Sequence, residues 1–395
     1  MISVAEAQSK IAALLGTTKT EWIDLSDAGG RVLAQNAVAQ RNQPPFAASA
    51  MDGYAVRAAD LNDGARLRVV GQVAAGQSPD RDIGPREAIR IFTGAPVPHG
   101  ADHILIQEDA VVDGDHVSVR SDRDAASYIR PDGIDFAEGD IMQAPRMLRH
   151  ADVALLASMN CARIEVFKKP VVALVPTGDE LVWPGETPRD DQIIASNNFG
   201  LAAMFGAAGA DVRLLPIAAD TPDTLGHVLD LAAETDLIVT LGGASVGDHD
   251  LVETVAHGKG LELSFYKLAM RPGKPLMAGR LGDAVLIGLP GNPVSSMVCG
   301  AIFVAPALRA LQGIPYEHPP ILHGTLAKRI GKNGPRTHYM RANVTWEQRG
   351  PMITAADRQD SSLLTVLSGA NALLIRPPYA PEQNAGDQVQ FCLLD

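Results

Sequence analysis

The sequence predicts a multidomain α/β chain, in which a parallel sheet covered by helices is joined to smaller β-rich segments. Three observations carry that expectation. From Pro170 onward apolar runs alternate with helix-compatible stretches, as in strands buried on both faces. From about Gln43 to Asp135 the pattern changes to short alternating runs between Gly and Pro turns. The chain also has 395 residues, 46% hydrophobic and 20% charged, too long for one ordinary domain and apolar enough for several cores.

Taken in order, Ser3-Val4-Ala5-Glu6 has the form of a capping box, and Val4, Ala7, Ile11, Leu14 and Leu15 share one helical stripe. An amphipathic first helix is expected. Leu67-Arg68-Val69-Val70 and Ile89-Arg90-Ile91-Phe92 read as half-buried strands of a small β-rich domain bounded by Pro44-Pro45 and Arg130-Pro131-Asp132-Gly133. Helix-compatible sequence follows around Arg146 to Cys161. The strands of the parallel sheet are expected at Val171 to Val175, Val212 to Ile217, Leu237 to Leu241, Leu263 to Tyr266 and Ala284 to Leu289. Thr221 caps a helix with Pro222 at its first position, and Leu225, Val228, Leu229 and Ala232 keep the helical spacing. After Pro319, His338 to Trp346 and Met352 to Ala355 flank Gly350-Pro351 and predict a small C-terminal β domain.

Composition narrows the classes of function. The formal net charge of −12 repels polyanions at long range, so no nucleic-acid partner is expected, although a few focused cations still allow a small anionic substrate. Cys161, Cys299 and Cys392 are widely spaced and form no CxxC, which fits a reducing cytoplasm and offers neither a disulfide framework nor a zinc site. The N-terminus lacks a basic n-region, so no signal peptide is expected. Two uncharged runs, Ile193 to Ala210 and Ala284 to Leu308, are interrupted by Ser196-Asn197-Asn198 and by Pro290-Gly291-Asn292-Pro293. They read as buried soluble elements, and no membrane partner is expected. No His pair has HExxH spacing, and Ser245 and Ser295 lack a GxSxG context.

Polar residues follow every predicted strand of the sheet. Thr177-Gly178-Asp179-Glu180 follows the first, Asp220 the second, and Gly242-Gly243-Ala244-Ser245-Val246-Gly247-Asp248-His249-Asp250 the third. The fourth leads to Lys267, Arg271, Pro272, Gly273 and Lys274, and the fifth to Pro290-Gly291-Asn292-Pro293-Val294-Ser295. Open α/β sheets bind ligands at that edge, where loops and helix N-termini meet. The rim reads as a site for a phosphorylated ligand held through a divalent ion: carboxylates suit Mg2+, and Lys and Arg neutralise phosphate or another oxyanion. Gly242 and Gly243 permit close backbone approach, and Asn292 before Pro293 has the form of a helix cap. Neither loop is a Walker or GxGxxG sequence. Singly, a Gly-Gly turn is more often only a turn and each acid a solvated one. Such groups at all five strand exits favour a site. Asp52, Thr93 and Asp135 read, from composition alone, as turn residues.

Ser49-Ala50-Met51-Asp52-Gly53-Tyr54-Ala55, Thr93-Gly94-Ala95, Thr177-Gly178-Asp179-Glu180-Leu181, Gly242-Gly243-Ala244-Ser245-Val246-Gly247, Pro272-Gly273-Lys274-Pro275 and Leu289-Pro290-Gly291-Asn292-Pro293 occur in order over nearly the whole chain. This set resembles the molybdopterin molybdenumtransferase family (MoeA, the gephyrin E domain). The resemblance implies a helical linker domain over residues 1–42 and 136–169 and a β-rich domain over 43–135. It further implies an αβα, MogA-like domain over 170–317 and a small C-terminal β-barrel-like domain over 318–395. It implies an enzyme of molybdenum cofactor biosynthesis that inserts molybdate into adenylyl-molybdopterin with Mg2+ and releases AMP. Family members are homodimers with the cleft between the αβα domain of one subunit and the β-rich domain of the other.

Carried over motif by motif, Asp52, Thr93 and Asp135 would face that cleft from the β-rich domain, and Glu180, Asp220 and Asp250 from the αβα domain, the last three holding the metal. Gly242, Gly243, Ser245, Lys267, Arg271, Lys274, Pro290, Asn292 and Ser295, joined by Arg341 and Ser362, would bind the substrates. Molybdopterin adenylyltransferase and downstream molybdoenzyme chaperones are the partners implied. The chain departs from the family pattern at Leu251, where many members have an aromatic residue, and at Arg271, where lysine is frequent. Gln359-Asp360-Ser361-Ser362-Leu363 lacks the glycine common after the serines. The alternatives are a molybdopterin adenylyltransferase, which shares the αβα domain type, and a noncatalytic molybdopterin-binding scaffold.

Overall fold

Ser3 Oγ accepts from the N–H of Glu6 at 3.1 Å and starts the first helix, Val4–Leu14, as the capping signal predicts. The computed structural model describes residues 1–242 and 251–394. Val4, Ala7 and Ile11 of this helix are buried in the same core as the central sheet, so the helix packs there and not beside the residues that follow it in sequence.

The linker region contains the expected helix, His150–Ser158, together with a four-stranded antiparallel sheet of Thr20–Asp24, Arg163–Phe167, Val32–Leu33 and Arg146–Met147. Leu33, Leu148, Leu156 and Val166 fill its core. The β-rich region is a six-stranded sheet with strand order His103–Ile106, Gly53–Val56, Glu87–Ile91, Arg66–Val73, His116–Val119 and Ala110–Asp113. Alternate residues supply two cores, Tyr54 and Val56 on one face and Ala55 on the other, the period-two pattern of a sheet covered on both sides.

The central sheet has the order Asp211–Leu214, Val171–Pro176, Leu237–Leu241, Ala284–Leu289, Met277–Leu281, Glu262–Tyr266. Its first four strands are parallel. The sequence expectation of a wholly parallel set is corrected here by Met277–Leu281, a strand it did not include, which runs antiparallel to both neighbours. Two reversals restore the direction of Glu262–Tyr266, so its carboxyl end still reaches the rim it was expected to reach. Val172 and Leu174 point into one core with Leu201, Phe205, Val298 and Ile302, while Ala173 and Val175 point into the other with Leu225, Val228 and Val252. Cover on both faces explains the unbroken apolar runs of these strands.

Pro293–Leu311 is long and apolar enough to cross a membrane by composition, yet 78% of its most apolar stretch is buried inside the fold. It is the central core helix. The three cysteines are free, buried thiols.

At the C-terminus, Thr337–Glu347, Gly350–Ala355, Leu322–Leu326, Gln388–Leu393 and Ala372–Arg376 pair in a ring that closes back on Thr337–Glu347, a five-stranded barrel. Ala342, Leu374 and Phe391 fill its inside. Tyr339, Leu373 and Ile375 face outward into the core of the central unit, and Met270–Arg271 adds a short parallel strand to the barrel wall. Barrel and central sheet therefore share one apolar interface.

Candidate functional site

Parallel register sets the site. Pro176 pairs with Leu241 and Leu241 with Leu289, so three strands end in one row. The ladder continues one step further, with the Thr177 N–H donating to the Leu241 carbonyl at 2.9 Å and the Gly242 N–H to the Leu289 carbonyl at 3.2 Å. At Gly242 φ is +94°, and a Cβ there would lie 2.8 Å from the Thr177 carbonyl oxygen. Glycine is required at this position by both backbone conformation and space.

Beyond this row lies a cavity of about 370 Å3 whose walls include Glu180, Asp220, Asn197, Asn198, Gly242 and Asn292. The Asp220 N–H donates to Asp179 Oδ1 at 3.0 Å, which holds a third carboxylate next to the wall, although Asp179 does not itself line the cavity. Burial within the fold, with the neighbouring charges of Asp179 and Glu180, pushes the Asp220 carboxyl above its ordinary value. The wall therefore favours a cation. Among the described residues no three carboxylate, imidazole or thiolate side chains form a closed metal shell. Glu180 and Asp220 supply an incomplete one, which suits Mg2+, an ion that usually takes one or two carboxylates and completes its shell with phosphate oxygens and water. Opposite them, Asn197 Nδ2 donates to the Gly291 carbonyl at 2.7 Å, fixing the loop before Pro293. Asn198 is 2% exposed and its Nδ2 has no partner, so a buried donor on this wall is left for a ligand.

A second cavity, of about 280 Å3, lies between the central unit and the barrel and is lined by Arg271, Lys274, Ser295, Arg336, Asp360 and Ser361, among others. Among the described residues none of the three cations has a carboxylate within ion-pair distance. Arg336 is held by its Nη1, which donates to the Met270 carbonyl at 3.3 Å. Arg341 lies fully buried behind the wall. Its Nη2 donates to the carbonyls of Arg358 and Asp360 at 3.3 and 3.0 Å, while its Nε and Nη1 have no partner. Three converging cations, not directly ion-paired among the described residues, outnumber the single lining carboxylate of Asp360 and, backed by an undersatisfied guanidinium, form a receptor for a compact oxyanion.

The remaining predicted residues divide clearly. Gly242, Asn292, Glu180 and Asp220 meet at the first cavity, and Arg271, Lys274 and Ser295 at the second. Pro290 is buried and lines neither; Lys267 also lines neither, its ammonium lying 4.5 Å over the Tyr266 ring. Ser362, expected in the oxyanion cradle, directs its hydroxyl and N–H to Asp360 Oδ1 at 2.6 and 2.9 Å. Gly243, Ser245 and Asp250 lie outside the described residues.

Asp52 and Thr93 do come together: one Asp52 oxygen accepts from both the N–H and the hydroxyl of Thr93 at 2.8 Å, and the bond to the backbone N–H is the larger cause of the low Asp52 pKa. Asp135 sits in the turn after Pro131, its N–H donating to the Gln43 carbonyl at 3.0 Å. None of these three lines either cavity of its own chain. Sequence reasoning missed Asn198 and Arg336 as site residues. Asn198 reads as a polar break in an uncharged run, and Arg336 precedes a predicted strand far from the other rim groups.

Three family models match the chain: the MoeA N-terminal region (domain I and II) over residues 2–160, the probable molybdopterin binding domain over residues 173–310, and the MoeA C-terminal region (domain IV) over residues 323–394. The chain is 34% identical over 402 residues to the molybdopterin molybdenumtransferase 2 of Mycobacterium tuberculosis, with 99% of each chain covered. It is 30% identical over 395 residues to the molybdopterin molybdenumtransferase of Haemophilus influenzae, with 98% of each covered. Among solved structures it is similar to the molybdopterin biosynthesis moeA protein of Pyrococcus horikoshii OT3, at 25% identity and a TM-score of 0.85 with 100% of both chains covered.

Proposed function

The chain belongs to the molybdopterin molybdenumtransferase (MoeA) family of molybdenum cofactor biosynthesis, and from that premise we propose that it inserts molybdate into adenylyl-molybdopterin and releases AMP. What carries the reading is a pair of cavities of opposite character on either side of residues 292–295, one walled by Glu180 and Asp220 and the other by Arg271, Lys274 and Arg336. Molybdate is a tetrahedral dianion and suits the second. The phosphoanhydride of the adenylate suits the first. Glu180 and Asp220, with Asp250 as the third expected ligand, would hold Mg2+, which when bound offsets charge on the phosphoanhydride oxygens.

The chain's own groups supply positioning. Asn198 offers a buried donor to an oxygen of the ester. Arg271, Lys274 and Arg336 hold molybdate next to it, with Arg341 reinforcing the positive field from behind. Proximity and a preorganised field lower the barrier without a covalent enzyme intermediate. Asp52, Thr93 and Asp135 line neither cavity of their own chain; in the homodimer that the family resemblance implies, the partner would present them to this cleft. A cytoplasmic location, supply of the ester by molybdopterin adenylyltransferase, and delivery to molybdoenzyme chaperones complete the proposal.

The test is incubation of the full chain with preformed adenylyl-molybdopterin and Mg2+. Release of AMP that requires added molybdate is the expected result. Formation of the AMP ester from molybdopterin and ATP would point instead to the adenylyltransferase. Full cofactor maturation by Glu180→Ala and Asp220→Ala variants would point to a scaffold.

A further inference from the structure

Asp360 is the one carboxylate among the described residues that line the second cavity. Its position is fixed from two sides. The Asp360 carbonyl accepts from buried Arg341, and its Oδ1 accepts from both donors of Ser362 at 2.6 and 2.9 Å. These Ser362 bonds hold the carboxyl below the ordinary carboxylate range, so it is ionised at neutral pH. An acceptor-only group that carries negative charge is unfavourable in a pocket for a fully deprotonated oxyanion. Ser362 thereby has both donors turned toward Asp360.

We propose that Asp360 is a specificity-determining residue which limits the positive charge of the oxyanion cavity, an inference that rests on the function proposed above for that cavity. Arg271, Lys274 and Arg336 line it, and Arg341 adds a fourth cation from behind. The neighbouring cavity takes a ligand with phosphates, and the two are separated by the first residues of the helix that begins at Pro293. A strongly cationic pocket so close would compete for those phosphates, because the interaction grows with ligand charge. One fixed carboxylate weakens the capture of highly charged anions more than that of a dianion. It keeps the two substrates in separate pockets at the expense of some oxyanion affinity.

The test uses two tetrahedral probes of nearly the same size, tungstate with two negative charges and perrhenate with one, titrated calorimetrically against the full chain at low salt. Asp360→Asn keeps the shape and removes the charge. It is expected to tighten tungstate by about five-fold and perrhenate by about two-fold, since a screened charge acts in proportion to ligand charge. Asp360→Ala, at an exposed side chain, is expected to act in the same direction, and pyrophosphate should gain more than tungstate in both. Tungstate binding that is unchanged or weakened by both variants, while Arg271→Ala abolishes it, would overturn the inference and leave the oxyanion cavity standing. Equal gains for tungstate and perrhenate would likewise overturn it, since a change of shape and not of charge would then be responsible. Failure of the wild-type chain to bind either probe would overturn the inference together with the reading of the cavity.

Discussion

The backbone N–H of Val294 donates to the carbonyl of Ser361 at 3.0 Å. This single bond ties the first turn of the central core helix to the barrel loop that carries Asp360 and Ser362. Asn292 and Pro293 face one cavity and Ser295 the other, so the same turn is wall to both. The relative placement of the two proposed substrates is thus set by packing between the central unit and the barrel, not by a flexible connection.

Gly273 sits between Arg271 and Lys274 at φ +111°, and a Cβ there would lie 2.5 Å from the Sγ of buried Cys299. Gly273→Ala is expected to destabilise by roughly 2 to 4 kcal/mol, combining left-handed strain with overlap. Adding Cys299→Ala makes room, so the double variant should recover the overlap part while the backbone strain remains. Thermal or denaturant unfolding of the four proteins of the cycle measures this. A coupling energy of zero across the cycle would show that overlap contributes nothing.

Asn198 is buried with an unpartnered Nδ2 on the wall of the first cavity. A donor left without a partner carries a desolvation penalty of about 1 to 3 kcal/mol in the free protein. Asn198→Ala is therefore expected to leave unfolding stability without ligand nearly unchanged, while affinity for adenylyl-molybdopterin falls roughly ten-fold, the size of one lost hydrogen bond in a desolvated site. A large loss of stability with unchanged affinity would assign Asn198 a purely structural role.

Asp220 has a raised pKa in the folded chain, owing to burial first and then to Asp179 and Glu180. A carboxyl that binds its proton more tightly when folded stabilises below its unfolded pKa, and that contribution is lost as pH rises through the folded value. Asp220→Asn should consequently raise the unfolding midpoint relative to wild type at pH 7 and give no gain near pH 3. Added Mg2+ should stabilise the wild type more than the variant at pH 7, because the cation relieves the same repulsion. Equal Mg2+ responses would remove Asp220 from the metal wall.

Much of the central sheet was legible because each strand is covered on both faces: Val172 and Leu174 serve one core, Ala173 and Val175 the other, and the run stays apolar throughout. The Thr20–Asp24 strand was not, since its partner Arg163–Phe167 lies far along the chain and pairing over that distance leaves no local trace. Met277–Leu281 did carry a signal that went unread. Gly282-Asp283 forms a two-residue turn into Ala284–Leu289, the usual mark of a hairpin. At the site, Glu180, Asp220, Arg271 and Lys274 follow strands directly and were found that way. Arg336 and Asp360 reach the cavity only because the barrel docks on the central unit, which no spacing in the sequence encodes.

His338 reports on that docking. It is 6% exposed, its Nε2 has no partner, and its strand neighbours are Arg271 on one side and Arg376 on the other. Burial is the first cause, followed by Arg271, Arg341, Arg376 and Arg336, and together they lower its pKa to about 4. The folded chain thus holds this imidazole neutral at pH values where the unfolded chain protonates it. Its contribution to stability is complete above about pH 6.5, the usual histidine value, and is lost as pH falls toward 4. A shift of that size corresponds to roughly 3 kcal/mol. His338→Gln removes the titrating group, so the stability difference between wild type and variant should shrink by about that amount between pH 7 and pH 4. Parallel pH profiles for the two proteins would mean that His338 takes up its proton as readily in the fold as in the unfolded chain, and that burial and the surrounding arginines do not hold it neutral.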